Sequence, residues 1–571
     1  MLPVFDKVAP PAVGRRLQYN FSTQTPIEYP VAKFMKTIAV SFHPGLLLAL
    51  YLAGVAILFP APAGGSDLQK IYAVKAFGAK GDGKSFDTLA IQSAIDQAGK
   101  SGGGKVVLTP GTYLSGSLHL KSHVEFIIEK DATLLGSAMR SDYVRGDRFA
   151  LLLADGQEDL TVSGAGTING QGRALARDVA QRVATGEVTS PLKPSGSPNE
   201  NERPSIIEFR NCHHAKVTGI TVRDAACWTQ IYANCEDLVI DGMQVDSAVC
   251  ENNDGIDIVD CRRVQMRHCD IRSEDDGICL KSETGGSGCD DVEVSDCRVC
   301  SLVENGFKLG TSGKGGFRKI HAKNLTMDNT RRSAIALESV DGGVLEDVLV
   351  ENVHGTNVGD AIFLRLGHRN KHGPVGHLRN IVIRNVRVEV LPNKTRVMAI
   401  LLGQEPDSNP SKAPDENVCP SSIVGLPGHP VQNVRLENIE IIYPGGGVPR
   451  RRSVLLGQLD AVPELPAQYP EFWMFGELPA WGFYCRHAEG IKFDNVTLRV
   501  QSHDFRPALV CDDVRNVELN RFHADSTGSG PAIVLKDVQG AAIHNSPAPL
   551  GAGGFIKTLG STRDVQGESN Q

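Results

Sequence analysis

Aromatic residues are scarce in this 571-residue chain: they make up 6% of it, with three tryptophans. That excludes a fold built on a few large aromatic cores, and the 60 glycines point to many turns instead. Basic excess is lacking too. The 59 Lys and Arg against 66 Asp and Glu leave a net charge of −7, which argues against a nucleic-acid partner. A local basic groove for an acidic ligand stays open. No CxxC pair recurs with zinc-site spacing, so no metal is expected. Nucleotide loops, haem motifs and nucleophile elbows are missing, so no cofactor is expected either. Long apolar runs are absent except for one. Gly45 to Phe59 (GLLLALYLAGVAILF) is uncharged, follows Lys33 and Lys36, and precedes Ala61-Pro62-Ala63. It is short for a membrane span and has the layout of a secretory signal. Residues 35–63 are therefore expected to direct export, secreted or periplasmic, with cleavage near Ala63. Residues 1–34 form an upstream segment, since Met35 makes a more ordinary start. An uncleaved anchor is the alternative.

What is present is repetition. A turn residue, alternating apolar and polar positions, then Asn or Asp recur as NCHHAKVTGITVRD from Asn211, NCEDLVIDGMQVDS from Asn234 and DCRRVQMRHCDIRS from Asp260. The phrase returns as LRNIVIRNVRVEV from Leu378 and VQNVRLENIEIIY from Val431. Counting weaker copies from Leu120, there are about a dozen in all, at irregular periods of about 20 to 35 residues. Alternation with period two means strand. Short strands and tight turns at this period predict an all-β chain, a right-handed parallel β-helix on the order of 60 Å long. A β-propeller would show blade signatures, which are missing. Asp87 to Ala98 has helical apolar spacing and an acidic first turn, and is expected to cap the first coil. Residues 64–571 then form one domain, with loops beside a groove near 172–203, 404–429 and 444–477. Among thirteen cysteines, Cys212, Cys235, Cys261 and Cys289 occupy equivalent repeat positions. A reduced internal ladder is expected despite export.

Two acidic phrases stand out, Asn252-Asn253-Asp254-Gly255 and Glu274-Asp275-Asp276-Gly277. In a β-helix Asp254 and Asp275 fall on neighbouring coils, roughly 5 Å apart along the axis. Three crowded carboxylates repel, so at least one stays protonated near neutral pH. Glycoside cleavage needs one protonated carboxyl and one ionised carboxylate, roughly 6.5 to 9.5 Å apart where the anomeric centre inverts. Asp257, Asp270 and Asp290 read as plain turn residues.

The phrases from Asp254, Asp276, Asn305, Ser333 and Asp360 align as stacked strands. Lys281, Glu338 and Arg365 share one outward column, and Lys308 stands in another. Lys308 and Arg365 are candidates to hold a substrate carboxylate; pairing of Arg365 with Glu338 is the alternative. Trp228, one coil before Asp254, stacks on a sugar ring or packs under a loop. The aromatic cluster of Phe472, Trp473, Phe475, Trp481, Phe483 and Tyr484 forms a sugar-binding wall or a satellite core.

These residues carry a resemblance. The chain resembles glycoside hydrolase family 28, the polygalacturonase-like enzymes of pectin degradation. VKAFGAKGDGKSFDTLAIQSAIDQA from Val74 and GGGKVVLTPGTYL from Gly102 are similar to the entry of pectin-lyase-like β-helices. The family's N-x-D phrase matches Asn252 to Asp254, and its Asp-Asp phrase matches Asp275-Asp276. The resemblance implies an inverting hydrolase, with Asp275 as general acid and with Asp254 and Asp276 positioning and deprotonating the water. Two family phrases are altered. Gly-His-Gly stands here as Glu304-Asn305-Gly306, and Arg-Ile-Lys as Ala336-Leu337-Glu338. Both cations that would serve a galacturonate carboxylate are missing. The expected partner is a pectic or other acidic glycan, acted on by a monomer. A polysaccharide lyase, with a Lys or Arg base and often calcium, competes with this reading. So does a non-catalytic glycan-binding rod. Three acids with no cation immediately beside them suit hydrolysis better than elimination.

Overall fold

The computed structural model describes residues 70–571 apart from 194–196, 371, 392–418, 448–455, 526–529, 550–551 and 568–571. The upstream segment, the expected signal at 35–63 and most of the expected loop 404–429 lie outside the described residues.

Alternating apolar and polar residues do form strands, and these pair in parallel, coil upon coil, into a right-handed β-helix. The five aligned phrases become β1 (Ile256–Val259), β2 (Ile278–Ser282), β3 (Phe307–Gly313), β4 (Ser333–Ser339) and β5 (Asp360–Leu366). Ile256, Ile278, Phe307, Ile335 and Ile362 are successive partners, as are Ile258, Leu280, Leu309, Leu337 and Leu364. Both columns are fully buried. Each such side chain contributes roughly 1.5 to 3 kcal/mol by leaving water.

The corners between faces are sharp because single residues adopt the left-handed conformation. Within Val344–Val358, Asp347, Asn352 and Asn357 each have φ of 56°. Asn and Asp tolerate that region best among residues with a Cβ. The corner amides also bond along the rod. Asn352 Nδ2 donates to Asn324 Oδ1 at 2.9 Å, Asn385 to Asn352 at 3.0 Å, Asn438 to Asn385 at 3.0 Å and Asn495 to Asn438 at 2.8 Å. Asn380 and Asn385, and Asn433 and Asn438, within their repeated phrases, are thus corners of coils.

The helix α1 (Thr88–Lys100) covers the first coil with Ile91, Ala94, Ile95 and Ala98. Asp87, expected in its acidic first turn, stands just before it instead. Its buried carboxylate accepts from the amides of Lys80 at 2.6 Å and Gly81 at 3.0 Å. The insertion after Asn169 is not all loop. Residues Gly172–Ala184 form α2, whose Leu175 and Val179 are buried.

All thirteen cysteines are unbridged and eleven are buried. Cys235 N donates to Cys261 Sγ at 3.3 Å, one step of the expected ladder. In the late insertion Phe472 and Phe475 pack with Phe363, Tyr484 and Val510 in a separate cluster, and Trp481 and Phe483 join the main core. The satellite-core reading therefore holds for most of this aromatic group.

Candidate active site

Neighbouring coils bring the two acidic phrases together because both carry glycine where the coils touch. A Cβ on Gly255 would meet Gly277 O at 2.5 Å, and one on Gly277 would meet Val299 Cγ1 at 2.2 Å. These glycines answer to close approach rather than to a left-handed turn. Asp254 precedes β1, and Asp275 and Asp276 precede β2, so the three carboxylates meet. One oxygen of each lies within 4.8 Å of the others. That is closer than the gap expected for inversion.

The three acids are held differently. Asp254 Oδ2 accepts from Lys281 Nζ at 2.7 Å. The same ammonium lies 2.6 Å from Asp257. Asp276 Oδ1 accepts from the Asn305 amide at 3.1 Å and from Asn305 Nδ2 at 3.0 Å, and Lys308 Nζ is 3.2 Å from Oδ2. Asp275 faces no cation at such range among the described residues. It accepts from Asn252 Nδ2 at 3.2 Å and from the Asp276 amide at 2.8 Å. The expectation of acids without adjacent cations is therefore corrected. Two of the three have an ammonium beside them, each reaching in from the next coil.

The charge states follow. Burial and the neighbouring Asp276 carboxylate raise the pKa of Asp275. Burial works on Asp276 as well, but Lys308, Lys281 and the Asn305 donors outweigh it and hold the group down. Burial first, then Asp257, raises Asp254 despite Lys281. Burial also pushes Asp257 up to about 6. One ammonium between two buried carboxylates neutralises only one of them, so this pair retains a proton most readily. Lys281 and Lys308 are pushed up by these acids in spite of burial and stay charged.

The acids line a cleft of about 520 Å³ with Arg148, Glu200, Trp228, Asn252, Lys281, Glu283, Glu304, Arg332, Arg369, Tyr469 and Glu471 among its walls. Asn252 turns into it with φ of 59° and is gripped by Arg203 at 2.8 Å and by Lys193, both from the insertion that carries α2. Trp228 does reach the cleft, but Lys281 and Arg148 already lie over its ring, 3.4 Å and 4.1 Å from the centroid. A sugar cannot stack where those cations sit.

Other expected residues take different places. Asn305 is buried behind Asp276, and its Oδ1 accepts from the Ser333 amide at 3.0 Å. Lys308 is buried as the partner of Asp276, not free for a substrate carboxylate. Glu338 accepts from Thr311 Oγ1 at 2.9 Å and lies 3.9 Å from Lys308; burial pushes it up to about 7. Arg365 neither faces the cleft nor pairs with Glu338. Fully buried, it donates to the carbonyls of Gly425 at 3.1 Å and Glu464 at 2.7 Å, tying down the late insertion. Asp257, read as a plain turn residue, is fully buried against Lys281.

Sequence reasoning missed Asn253, which makes four hydrogen bonds in complete burial, to Ala225 O, Cys227 O, Val249 N and Cys250 N. Those bonds fix the backbone before Asp254, and the Asn-Asn-Asp run was its only signal. It also missed Arg148, Arg332 and Arg369, which no repeat position distinguishes.

Comparison with known families bears on this cleft. Glycosyl hydrolases family 28 matches residues 105–407, more than half of the chain and including all three acids. The chain belongs to glycosyl hydrolase family 28. Among curated relatives of the family, a probable polygalacturonase of Vitis vinifera is 25% identical over 55% of this chain and 60% of its own length. An endo-polygalacturonase of Pectobacterium carotovorum subsp. carotovorum is 23% identical over 57% of this chain and 84% of its own length. The chain spans about 60% of the length of several curated relatives it matches. Among solved structures, the family 28 exopolygalacturonase of Yersinia enterocolitica shares the fold, with a TM-score of 0.52 and 16% identity over 87% of this chain and 79% of that one.

Proposed function

We propose that this protein is a glycoside hydrolase that cleaves a pectic or other acidic glycan through Asp254, Asp275 and Asp276. One observation carries the reading: of three clustered carboxylates, two are held by ammonium groups and one is not. Asp275, raised by burial and by Asp276 and with no ammonium at bonding range among the described residues, is the acid of this reading, while the proton held by the Asp254–Asp257 pair stays beside Lys281. It donates to the glycosidic oxygen as the bond to the anomeric carbon breaks. Asp276, held ionised, takes the proton of the attacking water. Asp254 Oδ1 has no hydrogen-bond partner among the described residues and accepts the second water hydrogen. Asn252 orients Asp275. Inversion at the anomeric carbon rests on the resemblance alone, since the closest carboxylate oxygens lie within 4.8 Å. The lyase reading fares worse. A lysine base must lose its proton, and Lys281 in the cleft and Lys308 buried against Asp276 are both pushed the other way. Residues 35–63 act as an export signal in this proposal, and the remainder works as a monomeric catalytic domain. Among the described residues no helix is long and apolar enough to cross a membrane.

The test incubates wild type and Asp275→Asn with a panel of pectic polysaccharides. New reducing ends are expected from wild type, reduced at least roughly a hundredfold in the variant. Proton NMR of the first product should show the anomer opposite to the substrate's. Unsaturated-uronide absorbance lost on adding a chelator would instead establish a lyase, and retained configuration would make one carboxylate a nucleophile.

A further inference from the structure

The altered Arg-Ile-Lys phrase leaves open what recognises an acidic sugar in this cleft. Four cations line it, and three are already neutralised. Lys281 sits between Asp254 and Asp257. Arg332 is clamped by Glu304 and Glu471. Arg369 pairs with both oxygens of Asp341, at 2.9 Å and 2.6 Å. Arg148 alone among these four forms no ion pair among the described residues. The carboxylate nearest its backbone, Glu208, accepts from the Arg148 amide but spends its charge on Arg210 Nε at 2.6 Å. The Arg148 guanidinium lies over Trp228, 4.1 Å from the ring centroid, and its Nη1 is buried without a hydrogen-bond partner. A buried donor left unpaired is costly, and a ligand that satisfies it recovers that cost. The guanidinium lies against the Trp228 ring in the wall of the cleft, with that donor still to be paired.

The other side of the acids is different. Beyond Asp276 along the rod stand Glu304, Glu338 and Glu471, the last pushed up to about 8 by burial. Those acids occupy Arg332 and Lys308, so no unpaired cation among the described residues lining the cleft stands on that side to receive a carboxylate.

We propose that Arg148, stacked on Trp228, is the carboxylate-binding residue of the cleft, taking one uronate on the N-terminal side of the acids. The sugar on the Glu304–Glu471 side then meets no unpaired cation among the described residues lining the cleft. The substrate is thus a glycan that places a uronosyl residue on the Arg148 side of the acids. This rests on the glycanase reading above, but its test does not depend on turnover. Calorimetry on the purified full chain carrying Asp275→Asn would compare trigalacturonate with carboxyl-reduced trigalacturonate. Arg148→Gln, added to that background, is expected to weaken trigalacturonate roughly 30-fold or more, since a desolvated charge pair is lost. It should change the reduced sugar less than about threefold, and Arg148→Lys should recover part of the loss. Equal weakening of both ligands would mean that Arg148 merely supports Trp228, and overturns the proposal. Unchanged or undetectable trigalacturonate binding in both backgrounds overturns it too. Reducing-end release by wild type is read separately. Its absence alongside Arg148-dependent binding would sink the hydrolase and leave this site standing, and its presence without such binding would do the reverse.

Discussion

At the scale of single residues, the site is a problem of assigning too few positive charges to too many acids. Asn305 stands where the family's Gly-His-Gly phrase has histidine, yet it still touches Asp276 through two donors. Those donors favour the ionised form. Asn305→Ala removes the side-chain donor and should raise the pKa of Asp276. The acid limb of the kcat/KM profile should then move to higher pH, by about half to one unit. A purely structural role would lower the plateau and leave that limb in place. Glu338 gives the opposite case. Folding lifts it from its usual 4.5 to about 7, so the folded state binds more protons than the unfolded one between those values. Stability therefore falls as pH rises through that window. Glu338→Gln keeps the neutral shape, and should raise Tm by roughly 1 to 3 °C at pH 8 while leaving it unchanged at pH 4. Thermal melts at both pH values check the sign.

At the scale of elements, the coil corners decide regularity. Asn385 has φ of 55°, donates to Asn352 and accepts from Asn438, both at 3.0 Å. Replacing it tests two contributions at once. Asn385→Gly loses the amide ladder but keeps the backbone conformation at ease. Asn385→Ala loses the ladder and forces a Cβ into the left-handed region, which adds about 1 to 2 kcal/mol. Urea unfolding should rank wild type above Gly and Gly above Ala. The reverse order of the two variants would mean that corner geometry is not what the asparagines supply. The same ladder bears on Asn324 and Asn495, each of which opens an N-x-[ST] glycosylation sequon. Asn324 Nδ2 donates to Asp296 at 2.9 Å and Asn495 Nδ2 to Asn438 at 2.8 Å, so a glycan on either nitrogen would interrupt the ladder.

At the scale of the whole molecule, the rod supplies the acids and the insertions close around them. Tyr469 and Glu471 reach the cleft from the late insertion, and Lys193 and Arg203 reach Asn252 from the early one. Arg365 secures the late insertion by its carbonyl bonds to Glu464 and Leu465. Arg365→Met should therefore lower kcat/KM roughly tenfold through misplaced Tyr469 and Glu471. The strand signature in circular dichroism should remain, because β5 keeps its apolar columns. An unchanged kcat/KM would detach this insertion from the site.

The sequence by itself determined the β-helix, its capping helix, the stacked cores and the meeting of Asp254, Asp275 and Asp276. These follow from period-two alternation, a repeat near one coil and glycines where coils touch, all of which are local. Only the tertiary structure decided which cation serves which acid. Lys281 reaches back to Asp254 and Asp257, Lys308 to Asp276, Arg365 turns away to the late insertion, and Arg148 arrives from three coils earlier. Strand alternation places a side chain on a face, but a lysine or arginine head lies several bonds beyond its Cβ. Where that head settles depends on which carboxylates and carbonyls the neighbouring coils and insertions offer, and those come from distant parts of the chain.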